Sequence, residues 1–113
     1  MKKLGSYTFA NCSMLEYIIL PDSLKELSDG IFYRCTKLKY FPKVSQLKVI
    51  GDKAFAYTSV ITVELQETIE VLYGEVFKGC YKLKSISIKE TTRANIKGFY
   101  YLRLNNVKIE YRP

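Results

Sequence analysis

The sequence predicts an α/β solenoid, in which short repeated coils stack to form a parallel β-sheet on one face and short helical or irregular segments on the other. Three observations carry this prediction: a phenylalanine row, a small-residue row three positions after it, and a trio of apolar residues that follows. The phenylalanines Phe9, Phe32, Phe55 and Phe77 recur at separations of 23, 23 and 22 residues. A constant period of this length is typical of a repeat architecture.

The other rows keep the same order around each phenylalanine. The small-residue row holds Cys12, Cys35, Thr58 and Cys80. The apolar trios are Leu15, Ile18, Leu20; then Val60, Val63, Leu65; then Leu83, Ile86, Ile88. The third copy's trio lies one place early, so a deletion after Thr58 explains the step of 22 residues. Because one coil alone would bury too little surface, neighbouring coils have to stack to form a continuous core.

The apolar trios end in period-2 alternation, which is typical of a short strand with one buried face. We therefore expect five parallel strands, stacked in chain order near residues 17–20, 39–42, 62–65, 85–88 and 107–111. The second coil departs from the pattern, since Lys43 stands where an inward apolar residue is expected. We expect a bulge there that turns Val44 inward.

Two kinds of turn signal separate the strands. The stretch "LPDS" after the first predicted strand ends it, because Pro21 restricts φ and the polar residues offer local hydrogen bonds. Asp29 and Asp52 precede "GIF" and "KAF", where a carboxylate is able to cap the first turn of a short helix. On the same side of the coil, away from the sheet, a set of tyrosines is expected to pack half-buried. These are Tyr7, Tyr33, Tyr57 and Tyr81.

By length, the 113 residues form one domain, residues 1–113. The repeats divide it at about 4–26, 27–49, 50–71 and 72–95, followed by a degenerate terminal coil over 96–113. In that last region Asn95 stands where Leu72 predicts an apolar residue, and Ile96 follows one place later. We therefore expect a one-residue insertion before Ile96.

The stretches "IGDKAFAYTSVITVEL", "LPDSLKEL" and "FKGCYKLKSISI" resemble the BspA-like leucine-rich repeats, over residues 4 to about 90 and more weakly to 111. The resemblance implies a leucine-rich repeat fold with a parallel sheet on one side and irregular or short helical segments on the other. It also implies a relation to large surface proteins of bacteria and protists that are linked to adhesion and carry no known catalytic residues. The family's proline after the strand is kept only at Pro21; Gln66 and Lys89 replace it, which predicts looser turns there.

The composition favours a folded chain with anionic partners. It is 48% hydrophobic, and its 18 Lys and Arg against 11 Asp and Glu give a net charge of +7. No window approaches the roughly 18 apolar residues of a membrane span. The start "MKKLGSYTFANC" lacks an apolar segment, so no signal peptide is predicted. We expect a cytoplasmic protein if the chain is complete, and a secreted or cell-surface one if it is a fragment of a longer chain.

The residue types argue against catalysis, metal binding and a cofactor. The chain has no His, so a cysteine nucleophile would lack its usual imidazole base. Cys12, Cys35 and Cys80 lack the paired spacing of a structural zinc site. We expect buried structural thiols. Cys12 and Cys35 would still lie about 4.8 Å apart, close enough for a disulfide to form.

The outward strand positions form columns of exposed side chains on the sheet face. Tyrosine beside aliphatic residues is the composition of a contact surface, and tyrosine adds contact area at low conformational cost. We therefore predict that this face binds a protein or an acidic glycan. The predicted central contacts are Tyr17, Lys39, Tyr40, Thr62 and Lys84. The alternative is a face that is merely compatible with a β-sheet and has no partner.

A second surface feature is a basic ridge that recurs at matching repeat positions. Its residues are Arg34, Lys37, Lys39, Lys78, Lys82 and Lys84. No base-stacking motif accompanies the ridge, which argues against a nucleic acid partner. A solvated charged face is the plainer interpretation of these residues.

Three functional hypotheses follow from these features. The first is a binding module, like a fragment of a surface adhesin. The second is a structural spacer or a self-associating repeat unit, since an open strand edge at residues 4–20 would allow a homo-oligomer to form. The third is a small cytoplasmic interaction protein that uses its basic surface on an acidic partner.

Overall fold

The computed structural model describes residues 4–89, 95–96 and 106–113, with residues 95–96 as backbone only. Its strands are β1 (Glu26–Leu27), β2 (Val49–Ile50), β3 (Thr62–Leu65), β4 (Val71–Leu72), β5 (Ser85–Lys89), β6 (Asn95–Ile96) and β7 (Lys108–Arg112). They form two parallel sheets in chain order, β1-β2-β4-β6 and β3-β5-β7. The predicted parallel solenoid is therefore confirmed. Its connections are turns and irregular segments, and the described part of the chain contains no helix.

The register between strands confirms both irregularities of the repeat. Val63 pairs with Ile86, and Ile86 pairs with Ile109, so the deletion after Thr58 leaves the strands in phase. Leu72 pairs with Ile96, which is the predicted one-residue insertion. The apolar pattern alone therefore specified which residues are neighbours in the stack.

The predicted strands at 17–20 and 39–42 are wrong, since both segments are irregular. A ladder begins there, because the Lys39 amide donates to the Glu16 carbonyl at 3.1 Å. Pro42, at the alternate position, has no N–H, so the segment has one donor fewer for pairing with a neighbouring coil. Val44 is fully buried and Lys43 exposed, as predicted, but within an irregular segment rather than at a bulge of a strand. The sheet that carries the candidate site is regular only from β3 onward.

The sheet formed by β1, β2, β4 and β6 was not predicted as strands. Its inward residues Leu27, Ile50 and Leu72 stand five positions before Phe32, Phe55 and Phe77, and all three are fully buried. Each strand is two residues long. Period-2 alternation cannot be detected in so short a segment, so the hydrogen bonds between coils are what define it.

The core is a stack of phenylalanine rings, as predicted. Ring centroids lie 5.8 Å apart between Phe9 and Phe32, 5.2 Å between Phe32 and Phe55, and 5.9 Å between Phe55 and Phe77. Phe41 adds a fifth ring, 4.9 Å from Phe55. Such pairs stabilise the stack beyond the apolar area that they bury.

The turns around the phenylalanines are joined from coil to coil by backbone hydrogen bonds. The Arg34 amide donates to Ala56 O at 2.9 Å, and the Tyr57 amide donates to Lys78 O at 2.7 Å. An α-helix would need these amides for carbonyls four residues earlier in the same coil. Because the next coil already uses them, the short helices allowed by the sequence do not form here.

The aspartates cap the neighbouring coil rather than a helix. Asp29 Oδ1 accepts a hydrogen bond from the Asp52 amide at 2.8 Å, and Asp52 Oδ1 accepts one from the Glu75 amide at 3.2 Å. The prediction of a capping carboxylate was right in its chemistry and wrong in its target. Each aspartate stabilises the contact between two successive coils.

On the side of the coils away from the sheet, the tyrosines of the second and third coils are half-buried, as predicted. Tyr33 and Tyr57 are half-buried and meet edge-on at 5.7 Å, while Tyr7 packs against Tyr33 at 5.9 Å. The Tyr57 ring lies over Gly79, where an added Cβ would come within 2.4 Å of it. Tyr7 and Tyr81 depart from the prediction, because 48% and 88% of their surfaces are exposed.

Candidate functional site

The five residues predicted as central contacts are all exposed: Tyr17, Lys39, Tyr40, Thr62 and Lys84. Their sequence neighbours Ile18, Leu38 and Val63 pack in or against the core, so the five side chains point away from it. Register places Thr62 beside Ser85, the residue that follows Lys84. The Lys39–Glu16 backbone bond places the second coil beside the first. Four successive coils thus contribute to one outward face.

This face exposes large apolar side chains next to its polar ones. Tyr17 and Tyr40 are 64% and 65% exposed, and Ile19 is 87% exposed. Ile61 and Met14 are exposed as well. Clustered apolar exposure of this kind marks interaction surfaces in soluble proteins.

Two contiguous depressions lie where the second, third and fourth coils meet. The larger, of about 410 Å³, is lined by Ile61, Tyr81, Lys82 and Lys84. The smaller, of about 230 Å³, shares Tyr81 and Lys82 and reaches back to Thr36. Tyr81 was not predicted as part of this surface. The sequence predicts it to lie with the half-buried tyrosines away from the sheet, and did not indicate that its side chain would be exposed.

The predicted basic ridge divides into two groups of residues. Arg34 lies 5.5 Å from the ring centroids of both Tyr33 and Tyr57, so its guanidinium packs on these two rings. Lys78 forms an ion pair with Glu75 at 3.3 Å. The remaining lysines are exposed, and none forms an ion pair with a described residue; they are Lys37, Lys39, Lys82 and Lys84.

A groove of about 580 Å³ beside the two-residue strands is acidic, with Glu26, Asp29, Asp52 and Glu75 in its lining. Its aspartates are engaged by backbone amides of the next coil. Among the described residues, no group of three or more His, Cys, Asp or Glu is arranged to hold a metal ion. This groove is therefore explained by contacts between coils.

The thiols of Cys35 and Cys80 are held by the preceding coil. Cys35 Sγ donates to Phe9 O at 3.0 Å, and Cys80 Sγ donates to Phe55 O at 3.0 Å. Burial raises the pKa of both thiols, so they stay protonated at neutral pH. Cys12 contradicts the expectation of a buried row, since it is exposed. All three cysteines are free thiols.

We expect Cys35 and Cys80 to react slowly with a thiol reagent in the native protein and rapidly in denaturant, because only the exposed thiolate is a good nucleophile. Cys12 is the internal control and should react rapidly in both conditions. Time-resolved labelling followed by peptide mass spectrometry measures the three sites separately. Rapid native labelling of Cys35 would contradict its burial.

The described residues contain no helix long and apolar enough to cross a bilayer. The profile of the BspA-type leucine-rich repeat region matches residues 2–112 in six copies. The chain belongs to this family. Membership in the BspA-type leucine-rich repeat family suggests a repeat module for protein interaction, and the family is generally non-enzymatic.

Two solved structures share the fold of this BspA-type repeat chain. A leucine-rich repeat protein from Bacteroides ovatus ATCC 8483 is 29% identical with a TM-score of 0.73, over 98% of this chain and 25% of that protein. The T. pallidum leucine-rich repeat protein is 18% identical with a TM-score of 0.67, over 96% of this chain and 62% of that protein. The chain thus spans a quarter of the first protein's length and under two thirds of the second's. No curated protein matches it.

Proposed function

We propose that this chain is a non-catalytic binding module that presents its sheet face to a protein or an acidic glycan, in the manner of a surface adhesin. The observation that carries the proposal is the exposure of Tyr17, Tyr40 and Ile19 on one outward face of a packed core. A rigid backbone with exposed aromatic side chains gives contact area at low conformational cost. Lys39, Thr62 and Lys84 supply polar contacts around these apolar groups.

We expect Tyr17→Ala/Tyr40→Ala to lose the partners that the unmodified chain captures, while its unfolding midpoint changes little, because both rings are mostly in solvent. The measurement is a pull-down from an extract of the source cells, quantified by mass spectrometry. Tyr73→Ala is the matched control, since Tyr73 is also exposed but lines the acidic groove.

A double variant that kept every partner would contradict binding through the sheet face. The spacer hypothesis predicts that the unmodified chain captures no partner at all. If the partners bind through basic residues and the tyrosine substitutions do not affect binding, the third hypothesis is favoured, an interaction protein that uses its basic surface on an acidic partner. Self-association through residues 4–20 stays a prediction.

A further inference from the structure

Four exposed lysines of the basic ridge lie in two alternate coils. The second coil presents Lys37 and Lys39, and the fourth presents Lys82 and Lys84. In the third coil, between them, Ser59 stands at the position of Lys37 and Lys82. Ile61 stands at the position of Lys39 and Lys84. The buried residues Leu38, Val60 and Leu83, which each follow one position after the first of these sites, give this alignment, and the Lys84 amide donates to Ile61 O at 2.8 Å.

The two lysine pairs therefore flank a single coil that carries no charge at the matching positions. Neighbouring parallel strands lie about 4.8 Å apart, so equivalent positions in the second and fourth coils are separated by about 10 Å. The floor between the two pairs is apolar, since Ile61 and Tyr81 line the larger depression. The four lysines form no ion pair with a described residue, so their charge is available to a ligand.

We propose, on the basis of the sheet-face function above, that this surface binds an acidic protein segment in the polyproline II conformation, with a carboxylate at every third residue. A polyproline II helix has three residues per turn and rises about 3.1 Å per residue, so side chains three apart share a face about 9.3 Å apart. This distance matches the separation of the lysine pairs. The intervening residues, proline above all, fit the apolar floor between them.

The aromatic composition of the face supports this class of ligand. Proline-rich segments in this conformation dock on aromatic-lined grooves, because the preformed helix has little entropy left to lose. Tyr40 and Tyr81 are exposed at the second and fourth coils, where the lysine pairs also lie. The segment would run along the stacking direction and cross the strands, with one carboxylate at Lys39 and the next at Lys84.

A direct test uses fluorescence anisotropy of a labelled peptide of three Glu-Pro-Pro repeats with the full chain. The control peptide has the same composition with its three glutamates adjacent. We expect the periodic peptide to bind more tightly, and its binding to weaken as salt is raised. Lys39→Gln/Lys84→Gln should reduce its affinity by about threefold to tenfold, as expected for two exposed ion pairs.

Lys25→Gln/Lys48→Gln is the matched variant, because it removes the same charge beside the two-residue strands, where both lysines are exposed. It should leave peptide affinity unchanged. Equal affinity for the two peptides, equal loss in both lysine variants, or no peptide binding would each overturn the proposal. So would tighter binding of polygalacturonate, a carboxylated glycan, with no competition from the periodic peptide. If the peptide fails while Tyr17→Ala/Tyr40→Ala still loses its partners, only this inference falls and the sheet-face function stands.

Discussion

Phe55→Ala is expected to destabilise the protein by about 3–5 kcal/mol, the range for removal of a buried aromatic side chain. Phe55 is fully buried and contacts three other rings, those of Phe32, Phe41 and Phe77. Its loss would leave a cavity between the second and fourth coils. Because each coil is stabilised by its neighbours, the effect should spread to both flanking coils.

Tyr111→Ala is the comparison for this prediction. Tyr111 belongs to β7 and is 61% exposed, so its removal should cost clearly less. Denaturant unfolding of both variants gives the free energies. Hydrogen exchange at the Phe32 and Tyr57 amides, which donate to the third and fourth coils, reports whether both flanks loosen. Equal unfolding midpoints for the two variants would contradict stabilisation by stacking.

Gly51→Ala is expected to destabilise by about 1–3 kcal/mol, the usual cost of forcing an extra methyl group into a packed site. A Cβ at Gly51 would lie 2.5 Å from the Asp29 amide nitrogen and 2.7 Å from the Ser28 carbonyl carbon, both backbone atoms of the preceding coil. The Gly51 amide also donates to Leu27 O at 2.7 Å, which holds the two coils together. The new methyl group would therefore have to separate the coils to fit.

Gly74→Ala is the matched control for this substitution, because Gly74 lies one coil further on and a Cβ there meets nothing within 4 Å. It should leave stability unchanged or raise it by about 0.4–1 kcal/mol through the unfolded chain. Thermal and denaturant unfolding of the two variants measure the difference. A Gly51→Ala protein as stable as Gly74→Ala would show that the coils separate there at little cost.

The candidate site was predictable in its residues but not in its shape. Alternation around Ile18 and Val63 indicated that Tyr17 and Thr62 point outward, and both are exposed. The depression beside Tyr81 was not predictable, because it depends on side chains from separate coils. Likewise, the recurring basic residues of the sequence did not distinguish Arg34, which packs on two tyrosine rings, from the lysines that form no ion pair with a described residue.

The sequence by itself determined the repeat period, the order of the coils and the residues that face the core. Phase was enough for this, because residues one period apart become neighbours whenever coils stack, as the pairing of Val63 with Ile86 and of Leu72 with Ile96 demonstrates. The buried apolar side chains recur with a period that remains recognisable in the sequence after a single insertion or deletion.

Only the tertiary structure decided which segments are strands, turns or caps. Those states depend on whether the amides of one coil reach the carbonyls of the next. The segment 39–42 is irregular although its apolar pattern allows a strand, and Pro42 leaves it one amide donor short of a complete ladder. The Arg34 amide is used by the next coil, so it is not available for a helix after Asp29, and the Asp29 carboxylate caps that coil instead. These hydrogen bonds join residues about one repeat apart, so local sequence preference does not determine them.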